Sequence, residues 1–561
     1  MSQAQKYYEM QLKLLREQGK VFAHKHPKLA PLLSDGDVDP DIERLLEGFA
    51  FISGKLWHKI DDAYPEISEQ LLEFIAPNYL KPLPSCSILE FIPKISQAGV
   101  KRIPRGTMID GLKNQVHYFF STSYDTEVLP MQLTSVSSKH EYGELVLRLD
   151  FAMLGAMHLS QLPDTLRLYF STDLSSAYWW RYLLLEQCAQ MIFYAGNEVV
   201  VPIKNMQIDP VGFGAETILN PHASDHHVTQ HLLEYYSFPE KFMFVDLKKL
   251  PWQCLPYAQN FSLEFYLKAP SRLKLNTTLE NFKINCTPII NLWEHHAAPI
   301  VHDHTKSRYF VNVPELELRA EVHSVFALDA WSNQARERYD YQAAYRCPNP
   351  HKNINRYQVY LEEGITAPKA YLELWEGELK SVDKITIVPK ILAYQPEAFL
   401  EVQRGDIFDQ GQSLLNCGYE NISPLSIPVY PPLGSRVSWH LLCYLAMAYK
   451  NLDELENLKI LLLQHDFATM HGDRYQGMGQ KIADSLHQFS QEAVVRFHKG
   501  EALRGFKTVL SIKDEAFLNL GELFLFGSLI AKIFADHAPF NSFNELEIQG
   551  VSSNIVLNWP V

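Results

Sequence analysis

Paired cysteines are missing from this chain. Its seven cysteines (Cys86, Cys188, Cys254, Cys286, Cys347, Cys417 and Cys443) stand far apart, with no CxxC pair and an odd total. That pattern excludes a zinc ribbon or a dense disulfide scaffold and fits reduced thiols in a cytosolic protein, most of them acting as small buried hydrophobes. Positive charge is also in deficit. The formal net charge is −14, so the Lys and Arg surplus that drives binding to a phosphate backbone is absent and nucleic acid is not an expected partner. Long apolar runs are wanting as well. The longest, around Leu523 to Ala535, is broken by Gly527 and Lys532 and falls short of the ~20 residues that cross a bilayer. The opening Met1-Ser2-Gln3-Ala4-Gln5-Lys6-Tyr7-Tyr8 leads straight into an amphipathic stretch with no apolar signal core, so neither export nor membrane insertion is expected.

Motifs that carry catalysis are equally scarce. Gly212-Phe213-Gly214-Ala215 lacks the third glycine and the preceding strand of a dinucleotide fold, and there is no GxxxxGK[ST] loop, GxSxG elbow or HExxH helix. Acidic neighbours such as Asp61-Asp62 read as a solvated helix face. Two histidine groups are the exception: Glu294-His295-His296 with His302-Asp303-His304, and His222, Asp225, His226, His227 and His231. Imidazole and carboxylate can hold zinc, and a metal-dependent β-sandwich hydrolase using His295, His302 and His304 is the enzymatic alternative. Such pairs also occur freely as hydrogen-bonded or exposed histidines, so no catalytic, cofactor-binding or metal site is expected.

What the sequence does contain is core material. Its 561 residues, 47% hydrophobic and 12% aromatic, exceed what one core usually supports and point to roughly three to four domains. The first 81 residues read as helical. Tyr8, Leu12, Leu15, Gly19 and Phe22 form one stripe. Asp39 and Pro40 begin a second helix carrying Ile42, Leu45, Leu46, Phe49, Leu56 and Ile60, and a shorter third runs near Glu66 to Ala76. These stripes need cover, either from the chain's own core, the commoner outcome for an amphipathic helix, or from another chain.

Period-two alternation then takes over. Strands are expected at Leu145 to Phe151, Leu166 to Phe170, Phe242 to Leu247, Phe261 to Leu267, Tyr309 to Val313, Leu316 to Val322, Tyr357 to Leu361, Tyr371 to Trp375 and Lys384 to Val388, with one helix near Ser175 to Phe193. A cluster of Pro424, Pro428, Pro431 and Pro432 separates this region from a C-terminal part. There, helices are expected at Trp439 to Leu452, Asp453 to Leu463, Ile482 to His498 and Glu522 to Ala535, with a strand at Phe506 to Ile512. The expected class is α+β: an N-terminal helical segment, central β-rich sandwich-like modules and a mixed α/β C-terminal region. The expected domains are 1–81, bundle-forming; 82–330, β-rich with an inserted helix; 331–432, a second β-rich module; and 433–561, helical and mixed.

Several blocks, in order along nearly the whole chain, resemble the TssF family of type VI secretion, also called ImpG or VasA. They are Tyr7-Tyr8-Glu9 through Lys25-His26-Pro27; Asp39-Pro40-Asp41 through Phe49-Ala50-Phe51; Ile103-Pro104-Arg105-Gly106-Thr107; and Leu233-Glu234-Tyr235-Tyr236-Ser237-Phe238-Pro239-Glu240-Lys241-Phe242. Cys286 to Trp293 with Asn291, Asp303-His304, and Asn541-Ser542-Phe543 follow. After Cys417 the chain reads Gly418-Tyr419-Glu420-Asn421, where the family commonly carries Asn-Arg-Asp-Leu.

The resemblance implies a non-enzymatic baseplate wedge subunit. It would sit in the cytoplasm against the inner face of the membrane, reach the membrane complex through partners, and assemble with TssG, TssK, TssE and a second TssF copy around the VgrG spike to nucleate and trigger the sheath. It further implies that Tyr8, Leu12, Leu15, Phe22, Ile42, Leu45, Leu46, Phe49 and Leu56 face partner helices. The motif residues Pro104, Arg105, Gly106, Glu234, Tyr235, Phe238, Pro239, Glu240, Lys241, Phe242, Asn291, Asp303, His304, Asn541, Ser542 and Phe543 would be structural. A phage-tail wedge protein is the nearer alternative.

Overall fold

In the computed structural model, alternate side chains of a strand such as Ile385–Tyr394 turn inward, Ile385, Ile387 and Ile391 being buried, as the pleat requires of a strand with a face on a core. The structure describes residues 8–16, 44–53, 72 and most of 78–560, with 434–453 the longest stretch between 78 and 560 outside the description. The chain divides into two compact units, Met1–Leu72 with Gly434–Cys443, and Glu73–Leu433 with Tyr444–Val561. In the first, residues 8–16 and 44–53 are helical. The expected third helix and the one expected at Trp439 to Leu452 lie, apart from Leu72, outside the described residues.

The second unit is a succession of mostly antiparallel sheets with a few helices, so the α+β expectation holds. One sheet has the order Gly418–Asn421, Cys86–Ile92, Cys286–Ile290, Val116–Thr122, Met108–Lys113. Its core of Leu89, Phe91, Ile109, Phe120 and Ile289 is closed by Val402 and Ile407. A second sheet runs Glu198–Pro202, Cys188–Ala195, Asn260–Leu267, Glu144–Met153, Met131–Glu141. Across it Phe193, Phe261 and Phe151 stack, with ring centroids 5.4 and 4.9 Å apart, the cross-strand aromatic pairing that stabilises sheets. A third sheet joins Gln207–Pro210, Phe244–Lys248, Thr165–Phe170 and Phe282–Lys283.

Two further sheets face each other as a sandwich. One is built on Ile385–Tyr394, flanked by Glu321–Ser332 on one side and by Trp293–His296 and Ile300–His302 on the other. The second has the order Arg308–Val311, Lys369–Trp375, Asn355–Glu362, Tyr341–Ala343. Both sheets give side chains to one core, among them Ile300, Val325, Ile387, Tyr309, Tyr357 and Leu372.

The C-terminal sheet pairs the long hairpin Leu486–His498 and Glu501–Ile512 with Ser542–Gly550 and Val556–Trp559. The Glu501–Ile512 to Ser542–Gly550 pairing is parallel and is bridged by the helix Leu520–Asp536, as a parallel connection demands. That helix also packs on the helix Leu174–Glu186. A Cβ on Gly521 would come 2.2 Å from the Tyr178 carbonyl oxygen, and one on Gly527 2.1 Å from the Trp559 ring. Both glycines therefore permit close approach. Of the four described cysteines, Cys86, Cys286 and Cys417 are buried and Cys188 is half-buried.

Three expectations need correction. The helix expected over Ser175 to Phe193 stops at Glu186, and Cys188–Ala195 is a strand because Met191 and Phe193 alternate into the second sheet's core. The helix expected over Ile482 to His498 ends at Ser485, and the remainder, with β-branched and aromatic Phe489, Val494, Val495 and Phe497, joins the hairpin. The strand expected from Leu316 begins at Glu321, after a single 3-10 turn and Arg319 at φ 48°. The Tyr79 hydroxyl donates to the Gln464 carbonyl at 2.7 Å.

Candidate functional site

The densest polar chemistry lies around the helix Gln230–Ser237 and the Pro239–Phe242 turn that follows it. Proline at the first position of that turn pre-sets its φ. The turn brings the fully buried Lys241 back onto Glu234, also fully buried. Lysine has three ammonium hydrogens, and each has an acceptor: the Thr217 carbonyl at 3.1 Å, His231 Nδ1 at 3.1 Å and the carboxylate oxygen Oε2 of Glu234. Glu234 Oε1 in turn accepts the Leu219 N–H at 2.8 Å.

Burial alone pushes the Glu234 carboxyl up, but the Lys241 charge beside it outweighs that and holds it at about 2. Burial also lowers Lys241, against the pull of Glu234, and lowers His231, helped by the Lys241 charge. A neutral His231, its other nitrogen bonded to the Phe213 carbonyl, leaves Nδ1 free to accept from lysine.

The same loop is held from a second side. Gly106, at φ 81°, turns the chain after Pro104, and Arg105 donates from Nη2 to the carbonyls of Ile218 at 2.7 Å and Asn220 at 2.8 Å. Ser123 Oγ donates to the Leu219 carbonyl at 2.7 Å, and Tyr124 to that of Lys241 at 3.0 Å. Tyr235 reaches Glu522 on the C-terminal helix at 3.4 Å, while Phe238 and Phe242 fill the core below. Glu240 is held above the usual carboxyl range by burial.

Other motif positions act likewise. Buried Asn291 donates to the Phe119 carbonyl and to Gln395, and accepts the Gln395 N–H at 2.6 Å, which joins the first sheet to the sandwich. Asp303 caps its own turn, accepting the Thr305 N–H at 3.2 Å, and His304 sits at φ 61°. Asn541 takes φ 61° and leads into Ser542–Gly550, in which Phe543 is buried.

Nearby, a cleft of about 630 Å³ is lined by Arg102, Arg167, Asp125, Glu127, Asp246 and Lys248, among others. Its charges answer one another. Arg167 forks onto Asp246 at 2.7 and 2.9 Å, Arg102 meets Glu127 at 2.9 Å, and Lys248 meets Asp209 at 2.7 Å. The Cys286 thiol at its wall is pushed well up by burial, the reverse of an activated nucleophile.

The histidine trio expected for a hydrolase does not assemble. His295 pairs with Glu315 at 2.8 Å, whereas His302 and His304 lie against Glu376, which sequence reading missed because it lies on a separate sheet. Burial, then the neighbouring His304, lowers His302. His222 lies 3.5 Å from Glu294, and Asp225, His226 and His227 are outside the described residues.

Among the expected interface positions, Leu45 is 73% and Phe49 60% exposed. With Ile52, also exposed, they follow i, i+4, i+7 spacing on one face. Leu46 is half-buried and Ala50 is buried, so the expected single stripe is split between two faces. Tyr8, Leu12 and Leu15 are half-buried, and Phe22, Ile42 and Leu56 are outside the described residues.

The comparisons with known proteins follow the same blocks. A family model described as "Type VI secretion system, TssF" matches residues 1–369 and 394–561. The type VI secretion system component TssF1 of Pseudomonas aeruginosa is 23% identical over 620 aligned positions, covering 99% of this chain and 97% of that one. A chain of the TssK-TssF-TssG baseplate subcomplex solved by cryo-electron microscopy superposes with a TM-score of 0.76 at 25% identity, covering 92% of this chain and 98% of its own. A chain of the type VI secretion baseplate complex gives 0.64 at 22% identity, covering 99% and 98%, a likeness of fold.

Proposed function

We propose a function from one firm premise: the chain belongs to the TssF family of the type VI secretion system. It is a baseplate subunit. We infer that it acts by attachment and not by turnover, with TssG and TssK as direct neighbours, the pair named beside TssF in the related subcomplex. TssE, a second TssF copy, the VgrG spike and the sheath complete the reading, in which the wedge holds the spike and starts sheath polymerisation. The place of action is cytoplasmic, facing the membrane. Among the described residues no helix is long and apolar enough to cross it.

One observation carries the attachment reading: the face of Leu45, Phe49 and Ile52 on the 44–53 helix. Large apolar side chains at that exposure gain about 1.5–3 kcal/mol each when covered, and a continuous helical stripe fits a groove between helices of a partner. The polar centres support the same reading. The Glu234–Lys241 knot and the cleft beside it bind their own groups to each other, which holds a shape and leaves no poised nucleophile and base. The matched family is one of type VI secretion, so a phage-tail wedge is not favoured.

The test is a double substitution, Leu45→Asp with Phe49→Asp, in a chain coexpressed with TssG. Both side chains point outward, so the chain's own fold is retained while charge enters the interface. Copurification should be lost while the circular dichroism spectrum is unchanged. Normal complex formation by the double variant would refute the bundle.

A further inference from the structure

His302 ends the strand Ile300–His302, His304 sits in the turn behind it, and Glu376 follows the strand Lys369–Trp375 of the facing sheet. The three donor atoms lie within 4.8 Å of one another. Glu376 Oε1 is 3.1 Å from His302 Nε2 and 3.4 Å from His304 Nδ1. Both separations match the edge of a tetrahedral zinc site, whose bonds of about 2.0–2.1 Å place neighbouring ligands about 3.3 Å apart.

The Glu376 oxygen at this corner is buried and lies against both imidazole nitrogens. A buried carboxylate oxygen needs positive charge or a donor beside it, and a divalent ion between the three groups supplies that without protonating either ring. The outer contacts suit a ligand set too. The far nitrogen of His302, Nδ1, is 2.8 Å from the Tyr309 hydroxyl, the kind of contact that fixes the tautomer and ring of a metal-bound histidine. His304 holds φ 61° in a turn capped by Asp303, so the backbone itself aims its ring back toward His302, with ring centroids 4.4 Å apart.

We propose that His302 Nε2, His304 Nδ1 and the Glu376 carboxylate bind a divalent ion of the zinc class, clipping the two sheets of the sandwich together at this edge. Two imidazoles with one carboxylate suit Zn²⁺ better than Ca²⁺ or Mg²⁺, which prefer all-oxygen shells. The hydrolase alternative took His295 as the third ligand. Glu376 replaces it, and the proposal stands independently of the baseplate reading.

The test uses the full-length chain, stripped with chelator and then titrated with Zn²⁺ alone, and in parallel with Co²⁺, whose visible absorption reports tetrahedral nitrogen and oxygen ligation. One Zn²⁺ per chain is expected, with a rise in Tm on loading. His304→Asn keeps a residue that tolerates the left-handed turn, and Glu376→Gln is isosteric. Each should lose the Zn²⁺ stoichiometry, the Co²⁺ band and the metal-dependent Tm rise while matching the Tm of the metal-free parent. Should either variant fail to fold, the other tests the same ligand set by itself. No binding by the parent, or equal binding by parent and variants, would mean a histidine–carboxylate ion pair only and would overturn the proposal.

Discussion

Removing Lys241 should expose the strongest electrostatic dependence in the fold. Its partner Glu234 is held at about 2 against an ordinary 4.5, a difference worth roughly 3 kcal/mol of preference for the ionised carboxylate in the folded chain. Lys241→Met leaves that carboxylate fully buried with the Leu219 N–H and a neutral imidazole. Removing one partner of a buried pair typically costs about 3–5 kcal/mol.

The pH dependence has a definite sign. In the parent the folded value lies below the unfolded one, so the stabilisation is present above about pH 4.5 and fades as pH falls toward 2. In Lys241→Met, burial acts alone and raises Glu234 above its ordinary value. Stability is then full below about pH 4.5 and declines as pH rises. The gap between parent and variant should be widest near neutrality and narrow in acid. Urea denaturation followed by tryptophan fluorescence at about pH 7 and pH 4.5 measures it, with amide exchange at Leu219 as a local report. Adding Glu234→Gln to Lys241→Met should recover more than about 1 kcal/mol, because the unpaired charge is gone. A gap of equal size at both pH values, or a double variant no more stable than the single one, would refute the reasoning.

Three further outcomes follow from geometry. Gly521→Ala should destabilise by about 1–3 kcal/mol, more than Gly527→Ala, since the new Cβ meets the Tyr178 backbone in the first case and the movable Trp559 ring in the second; thermal melts of the two variants give the order. Asn541→Ala should cost about 1–2 kcal/mol at φ 61° while Asn541→Gly stays near the parent, again by melting. Arg105→Lys should loosen the loop at Ile218 and Asn220, because both bonds leave Nη2 of a rigid planar guanidinium and a flexible lysine stem does not hold its ammonium at that point, and should raise amide exchange over residues 215–222.

Much of this was legible in the sequence where one physical signal dominated. Alternation located Tyr371 to Trp375 and Phe261 to Leu267. It failed where two signals overlapped. Leu486–His498 carries enough Ala, Glu and Gln to pass for a helix, and only its twelve-residue partner Glu501–Ile512 settles it as a strand. The Glu234–Lys241 pair was not legible in the sequence, where Lys241 stands beside Glu240; its full burial and its reach to Thr217 and Leu219 depend on how the loop returns. Glu376 gave no local signal at all, for nothing near it hints that His302 lies across the sandwich.

The strand Cys86–Ile92 has as one neighbour Gly418–Asn421, more than three hundred residues later. On a ribosome adding about 5–20 residues per second, that edge waits on the order of tens of seconds for its partner. The edge of the early strand stays open over that interval, and the first sheet reaches its full width only after Asn421 has been synthesised.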